Sequence, residues 1–472
     1  MSINDLFIKG NKLFAEKKYL AGLEIYKNIR FKYPLNTRLN YEINKKIKIH
    51  KKQIFQSFSN IEIEKFFELQ KLGHGPKVIS TLSNFLKKNK NDSLAISLLG
   101  KFWELEGDFE KAIHFQTMAV KNSPFELAFY LNLSKTLKQN NKLEEALKFL
   151  HLAKILSLTD NSIDYEIAKL NTTLKNFAEA DSIYKKLIKD KNVNKEIIYS
   201  YCDHLIKSNK VDNVIQFLAQ HSKTNSKDDY YQLSLGIAYL KKKEYDLAKI
   251  CFLNAIKLNT KNSQSFSLLA DYYSALGDIN NAKINYEKSL NIDPNNNKAL
   301  NNLAAMSFFE GNLKEAEEFY NLSLRNNNND YESLYYLSQC QLAMCNYKTG
   351  WKNFGYRWLA NDFKSKKLRT NIPKFYLNSD RKNLLVWSEQ GIGDQILFIR
   401  FLNNIVPYAN NIYMNIDSRL HQIIERMKLN IHFINNIDQI KNNNINSQIP
   451  IGDLGSLFIE NNSNLFKNNK TY

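Results

Sequence analysis

The stretch LLADYYSALGDINNAKINYEKSLNIDPNNNKALNNLAA, residues 268–305, decides the architecture of most of the chain. Within it Ala270 and Ala304 stand 34 residues apart, each preceded by a leucine. Ala282 follows Ala270 by twelve residues and Tyr286 follows it by sixteen, with Gly277 lying between the two alanines. Apolar residues recur at helical spacing on both sides of Gly277, so the segment reads as two short helices joined by a tight turn. Small residues at Ala270 and Ala282 let the two helices approach closely, and the tyrosine fills the gap towards the next pair. Pro294 stops the second helix, and DPNN at 293–296 makes the turn into the next unit.

Stepping by 34 from Gly100 through Ser134, Ala168, Cys202, Gly236, Ala270 and Ala304 to Ser338 meets a small residue every time. Twelve positions on, the series is Ala112, Ala146, Ala180, Val214, Ala248, Ala282, Ala316 and Gly350. Four further on it is mostly large, as at Leu150, Tyr184, Phe252, Tyr286 and Tyr320. Registered units of this kind define a stack of helical hairpins, expected here over 61–358 with a weaker unit at 71–90. A terminal unit at 1–35 keeps Gly10, Gly22, Tyr26 and Pro34, and 36–60 breaks the period and reads as a connecting helix. The pattern resembles the tetratricopeptide repeat. That resemblance implies a superhelical solenoid whose concave groove, lined by the first helix of each unit, takes a protein or peptide. After the first small residue come Lys101, Lys135 and Lys169 in three successive units, and acidic or uncharged residues later. A basic groove and a solvated lysine face are both open from this pattern.

The 472 residues carry 66 Lys and Arg against 47 Asp and Glu, a formal net charge of +19. Such an excess raises the question of nucleic acid, but the lysines are spread evenly and no recognition motif accompanies them. The densest stretch, NKKIKIHKK (44–52), alternates lysine with isoleucine as a solvated helix face would, so the reading goes against nucleic acid. Cys202, Cys251, Cys340 and Cys345 lack CxxC spacing and fall at semi-buried repeat positions, which suggests neither zinc nor a disulfide framework. The first twenty residues are charged throughout, and no apolar run approaches the roughly 18 residues that a membrane span needs. These features lead to the expectation of no membrane span and a reducing, cytoplasmic location.

Beyond NYKTGWKNFGYRW (346–358), residues 359–383 contain KSKK, Pro373 and a polar run and read as a linker. The pattern then changes at LLVWSEQGIGDQILFIRFL (384–402). Strands are expected at 384–387, 411–416, 431–434 and 448–451, with helices at 395–408 and 419–427. Alternation of this kind implies a parallel sheet with a crevice at the strand carboxyl ends. In SEQGIGD, Gly391 and Gly393 form the tight turn, and Glu389 and Gln390 join them as a candidate acceptor-binding or anion-binding turn at a helix start. Asp394 sits where the helix begins, as an aspartate N-cap would.

GW…YRW, the 384–402 stretch and QIPIGDL together resemble bacterial tetratricopeptide-repeat glycosyltransferases. These are related in their catalytic half to the ADP-heptose heptosyltransferases, and in layout to the O-GlcNAc transferases. The resemblance implies a GT-B fold of two facing Rossmann-like halves, a nucleotide-sugar donor as substrate without a further cofactor, and Asp394 as general base. QIPIGDLGSL departs from the pattern, with Asp453 and Gly455 where serine and proline are common. Residues 384–472 are fewer than one such half needs. The expectation is therefore a mainly α chain ending in a partial α/β Rossmann-like domain, without the donor-binding half. A non-catalytic protein-interaction scaffold is the alternative function.

Overall fold

The computed structural model describes residues 3–33, 36–50, 57–190, 193–220, 227–327, 329–377, 382–434 and 444–459. The chain divides into two compact units, Met1–Glu244 and Tyr245–Tyr472, so the boundary falls within the repeats rather than after them.

In the first unit, helices pair as Ser93–Leu105 with Phe109–Asn122, Leu127–Gln139 with Leu143–Leu156, Asn161–Thr173 with Phe177–Ile188, and Lys195–Lys207 with Val211–Gln220. The small positions work as expected. A Cβ on Gly100 would lie 2.7 Å from the Gln116 side chain and 3.1 Å from the Ala112 carbonyl oxygen. Ala112, Ala146, Ala180 and Val214 are wholly buried where the helices cross. Three of the helix starts are capped by aspartate: Asp92 accepts from the Ala95 N–H at 2.8 Å, Asp108 from Lys111 at 3.0 Å and Asp160 from Ser162 at 2.9 Å. The turn between paired helices is left-handed in each hairpin. Gly107 supplies φ +83° without cost, but the same place 34 residues on is filled by Asn141, Lys175, Asn209 and Lys243, at φ 55–64°.

The terminal unit departs from the expected stack. Helices Ile3–Ala15 and Tyr19–Lys32 do pair through Gly10 and Gly22, whose added Cβ atoms would meet the Tyr26 and Phe14 rings at 2.5 and 2.4 Å. Their outer face then packs on the second helix of a later hairpin, Leu143–Leu156. Arg30 donates to the Ile155 carbonyl at 2.9 Å, and the Phe14 and Tyr19 rings lie 5.9 and 5.1 Å from Phe125. The cause is an apolar surface that one hairpin cannot bury alone: Leu23, Ile29, Ile43 and Ile47 join the core built by Leu150 and Ala153. Helix Thr37–His50 occupies most of the expected connecting segment, and 34–35 and 51–56 lie outside the described residues.

In the second unit, helix Tyr245–Leu258 is followed by the pairs Ser263–Ala275 with Ile279–Ile292, Asn297–Phe309 with Leu313–Asn326, and Tyr331–Ala343 with Tyr347–Phe354. Ala270, Ala282, Ala304 and Ala316 are wholly buried, and Cys345 takes the left-handed turn position at φ 61°. That placement leaves Cys345 exposed, against expectation, while Cys202, Cys251 and Cys340 are buried; all four are free thiols. A 3-10 turn, Gly355–Leu359, ends the helical run. Four parallel strands follow: β1 Lys382–Trp387, β2 Ala409–Asn415, β3 Ile431–Phe433 and β4 Ser447–Pro450, in the order β3-β2-β1-β4. Central β1 is buried on both faces from Leu384 to Trp387, which is why it reads as an unbroken apolar run.

Two expectations here need correction. The helix expected at 395–408 is broken into Ile392–Ile399, Leu402–Ile405 and a 3-10 turn, Val406–Tyr408; Pro407, which cannot donate to the helical ladder, lies in the last piece. The stretch expected as a linker is bound to the sheet. Phe375 is buried and donates its N–H to the Gln448 carbonyl at 2.9 Å, while the Gln448 N–H donates to Pro373 at 3.0 Å. Residues 378–381 of that stretch, and 460–472 of the polar tail, lie outside the described residues. No helix among the described residues is long and apolar enough to cross a membrane.

Candidate functional site

The turn after β1 is built differently from the sequence reading. Its left-handed residue is Gln390, at φ 61°, and neither glycine. Gly391 has φ −78°, and a Cβ on Gly393 would meet nothing within 4 Å. Gln390 is held by three-way bonding: its N–H donates to Ser365 Oγ at 2.6 Å, its side-chain nitrogen to the Tyr335 hydroxyl at 3.2 Å, and its carbonyl accepts from Gln395 at 3.4 Å. Gly391 is the N-cap of helix Ile392–Ile399. Asp394 is the third residue of that helix, not its cap, and Oδ2 reaches back to accept the Gly391 N–H at 3.2 Å. The side chain is exposed.

Asp394 lines a cavity of about 430 Å³ shared by the last helical hairpin and the helix after the turn. Tyr335, Leu342 and Trp351 come from the hairpin, and Phe398 and Arg400 from the other side. Gly350 makes this hairpin tight, since its added Cβ would stand 2.9 Å from Leu342. Burial raises the Tyr335 hydroxyl above its usual range. The cavity thus combines apolar walls with one carboxylate, one guanidinium and the two amides of Gln339 and Gln390.

Glu389, expected in the ligand-facing turn, points inward instead. Its carboxylate accepts from Arg357 at 3.1 Å (Nε to Oε2) and 2.6 Å (Nη2 to Oε1). The same Nη2 donates to Asp453 Oδ1 at 2.7 Å, and Lys374 donates to Asp453 Oδ2 at 2.6 Å. The Arg357 and Glu389 side chains are wholly buried. An arginine so placed needs counter-charge, and this is where Glu389 is spent. Burial pushes the Glu389 carboxyl above the usual range against the pull of Arg357. At Asp453 burial also raises, but Arg357 and Lys374 together outweigh it and hold the carboxyl below that range. The guanidinium also sits 4.4 Å from the Phe354 ring and 4.9 Å from Trp358.

The same network accounts for the unusual GDLG run. A Cβ on Gly452 would fall 1.9 Å from Glu389 Oε1, and one on Gly455 2.2 Å from the Trp351 ring. Arg357, Lys374 and Asp453 were missed as partners because 32 and 96 residues separate Arg357 from Glu389 and Asp453. The one available signal was an arginine set between Tyr356 and Trp358 in an aromatic run.

The groove lysines recur at one place in three hairpins of the first unit, but not as a bare basic wall. Lys101 pairs with Glu104, whose second oxygen accepts from Thr136 at 2.6 Å. Lys169 lies 3.6 Å from Glu166 and 4.9 Å from the Tyr165 ring, and Lys138 pairs with the same glutamate. Burial raises the Glu166 carboxyl, yet its lysines prevail and hold it below the usual range. Lys135 is exposed. The face is of mixed charge.

Comparison with known proteins bears on the repeats. Residues 230–262 and 263–296 match the tetratricopeptide repeat model. Human protein O-mannosyl-transferase TMTC3 is 26% identical over 194 residues, covering 38% of this chain and 21% of that protein, so the chain spans only a small part of that relative's length. Among solved structures, a tetratricopeptide repeat protein from Parabacteroides merdae superposes with TM-score 0.42 at 17% identity, over 53% of this chain and 98% of that one. Yeast Tom70 gives 0.46 at 17% identity over 73% and 86%. YrrB, a TPR protein with an unusual peptide-binding site, gives 0.27 at 19% identity over 39% and 95%. Residues 230–296 of the helical run are thus similar to tetratricopeptide repeats, and the run is followed by a small parallel α/β layer.

Proposed function

We propose that the repeats hold an extended polypeptide and that the cavity beside Asp394 receives one of its hydroxyl-bearing side chains for glycosyl transfer. The observation that supports this reading most is the shared cavity itself: the last hairpin supplies one wall, and the helix carrying Asp394 supplies the other. In this reading the hydroxyl gives its proton to the Asp394 carboxylate as its oxygen bonds to the anomeric carbon of a nucleotide-sugar. The sugar–phosphate bond breaks and the nucleotide leaves with the electron pair. The donor-binding half, and the Rossmann-like character of the α/β layer, belong to the proposal on the resemblance alone.

Asparagine at 394 separates base from helix stabiliser, because its side-chain oxygen still accepts the Gly391 N–H. In protein carrying a donor-binding half, Asp394→Asn is expected to leave folding within about 1 kcal/mol and to cut transfer by roughly a hundredfold or more. Unchanged turnover would make Asp394 a capping-box residue only. That outcome favours the second reading, a non-catalytic scaffold, which the bond already made by Asp394 to Gly391 supports.

A further inference from the structure

We propose that a second cavity, of about 340 Å³ on the β1–β4 side of the α/β layer, is a binding site for a phosphate monoester carried on a ring. It shares only Trp351 and Phe354 with the cavity that holds Asp394, and it does not depend on the transferase reading.

Charge is the first argument. Lys352 comes from helix Tyr347–Phe354, while Lys367 and Lys374 come from the stretch between that hairpin and β1. Asp453 is the one carboxylate in the lining, and both of its oxygens are engaged, by Arg357 and by Lys374. Lys352 and Lys367 are exposed and make no ion pair among the described residues. Two lysines that line one cavity without an acidic partner among the described residues leave it positive, and a group bearing close to two negative charges offsets both. A phosphate monoester carries about −1.5 to −2 at neutral pH, whereas a carboxylate carries one charge.

The second argument is shape. The cavity walls include Trp358 and Trp387, with ring centroids 5.6 Å apart and planes inclined at 45°. Trp387 is fixed by its own N–H, which donates to Gln448 Oε1 at 2.6 Å, and that bond leaves the Gln448 amide NH₂ available as a donor. An apolar tryptophan wall in a cavity also lined by lysines fits a ring at one end of the ligand and an anion at the other. Inorganic anions have no use for the tryptophans, and neutral rings have none for the lysines.

Three of the chain's four tryptophans line this cavity, so intrinsic fluorescence reports on it directly. Titration of the whole chain with phenyl phosphate is expected to give a saturable change that weakens as salt rises. Phenol and inorganic phosphate should each bind at least tenfold more weakly. The double variant Lys352→Gln, Lys367→Gln should weaken phenyl phosphate at least tenfold with an unaltered circular dichroism spectrum, and Trp103→Phe should leave the response in place. Phenol binding as tightly as phenyl phosphate would overturn the anion subsite, and equal binding of bare phosphate would overturn the ring platform. No response at millimolar phenyl phosphate, or full binding by the double variant, would overturn the site as a whole.

Discussion

The hairpin Ser263–Ile292 and the sheet β1–β4 lie in the same unit but draw their stability from opposite directions along the chain. In the hairpin everything is near: Ala270, Ala282 and Tyr286 fall within sixteen residues, Asp278 caps its own helix, and the Tyr286 hydroxyl bonds Asp271 at 2.6 Å. In the sheet the decisive contacts are far: Arg357 to Asp453, Phe375 to Gln448, Leu384 to Ser447. A fault in one hairpin is shared among its neighbours, as stacked repeats allow. A fault at Arg357 leaves the buried Glu389 without its counter-charge and takes one of the two cations from Asp453, in a layer of four short strands.

The largest effect is expected for Arg357→Met. Removing one partner of a buried ionic cluster costs about 3–5 kcal/mol, because the remaining charges stay buried without compensation. Amide exchange should accelerate across Leu384–Trp387 while Ala282–Tyr286 keeps its protection. Equal acceleration in both would show that the sheet and the hairpin are not held separately.

A smaller loss tests the repeat side. Ala282 is wholly buried where two helices cross, so Ala282→Leu should overpack that crossing and cost about 1–3 kcal/mol, read as a lower urea midpoint. No loss would mean that small residues at the 34-residue period do not set helix approach.

The turns offer a gain instead. Lys175 and Lys243 hold φ 63° and 64° at the place glycine takes in Gly107, Gly277 and Gly311. Lys175→Gly and Lys243→Gly should each stabilise by roughly 0.5–1 kcal/mol, the left-handed strain removed less the added chain entropy. A lower melting temperature in both would count against strain at these turns.

The last effect is on a slope. His204 is wholly buried, with Thr172 Oγ1 at 3.0 Å from Nδ1 and Asp181 Oδ1 at 3.9 Å from Nε2. Burial holds its pKa below the usual 6.5, with Asp181 opposing. The unfolded chain therefore takes up the proton first. Stability from this residue is complete above pH 6.5 and is lost as pH falls through the depressed folded value. Urea midpoints of the first unit should fall from pH 7 to pH 5, and less steeply in His204→Gln; an unchanged slope in the variant would remove His204 as the cause.

What was legible follows the same division. The 34-residue ladder from Gly100 to Ser338 was visible because each hairpin repeats one physical requirement, close helix approach, at one spacing. The strands were visible because β1 is apolar on both faces and β2 is bounded by turns. The left-handed turns at Lys175 and Lys243 were hidden, since lysine gives no hint of positive φ. Glu389 looked like a ligand residue because it stands in the turn that leads to Gly391 and the helix carrying Asp394; only the position of Arg357, fixed by tertiary packing, turns it inward. The fold-back of Tyr19–Lys32 onto Leu143–Leu156 left no trace in the period, because it joins surfaces that the repeat pattern treats as separate.

Under the proposed function, a polypeptide held by the repeats reaches the cavity at Asp394. The most direct test of this is photo-crosslinking, with a photoreactive residue placed at Leu397, which lines that cavity and is 54% exposed, or at Phe309, which is 86% exposed and is not among the residues lining it. Each protein would be irradiated with a pool of extended peptides of mixed sequence, and captured peptides identified by mass spectrometry. Capture at Leu397 of peptides enriched in serine and threonine is expected, with little capture at Phe309. Equal capture at the two positions, or capture at Leu397 with no preference for hydroxyl-bearing residues, would contradict it.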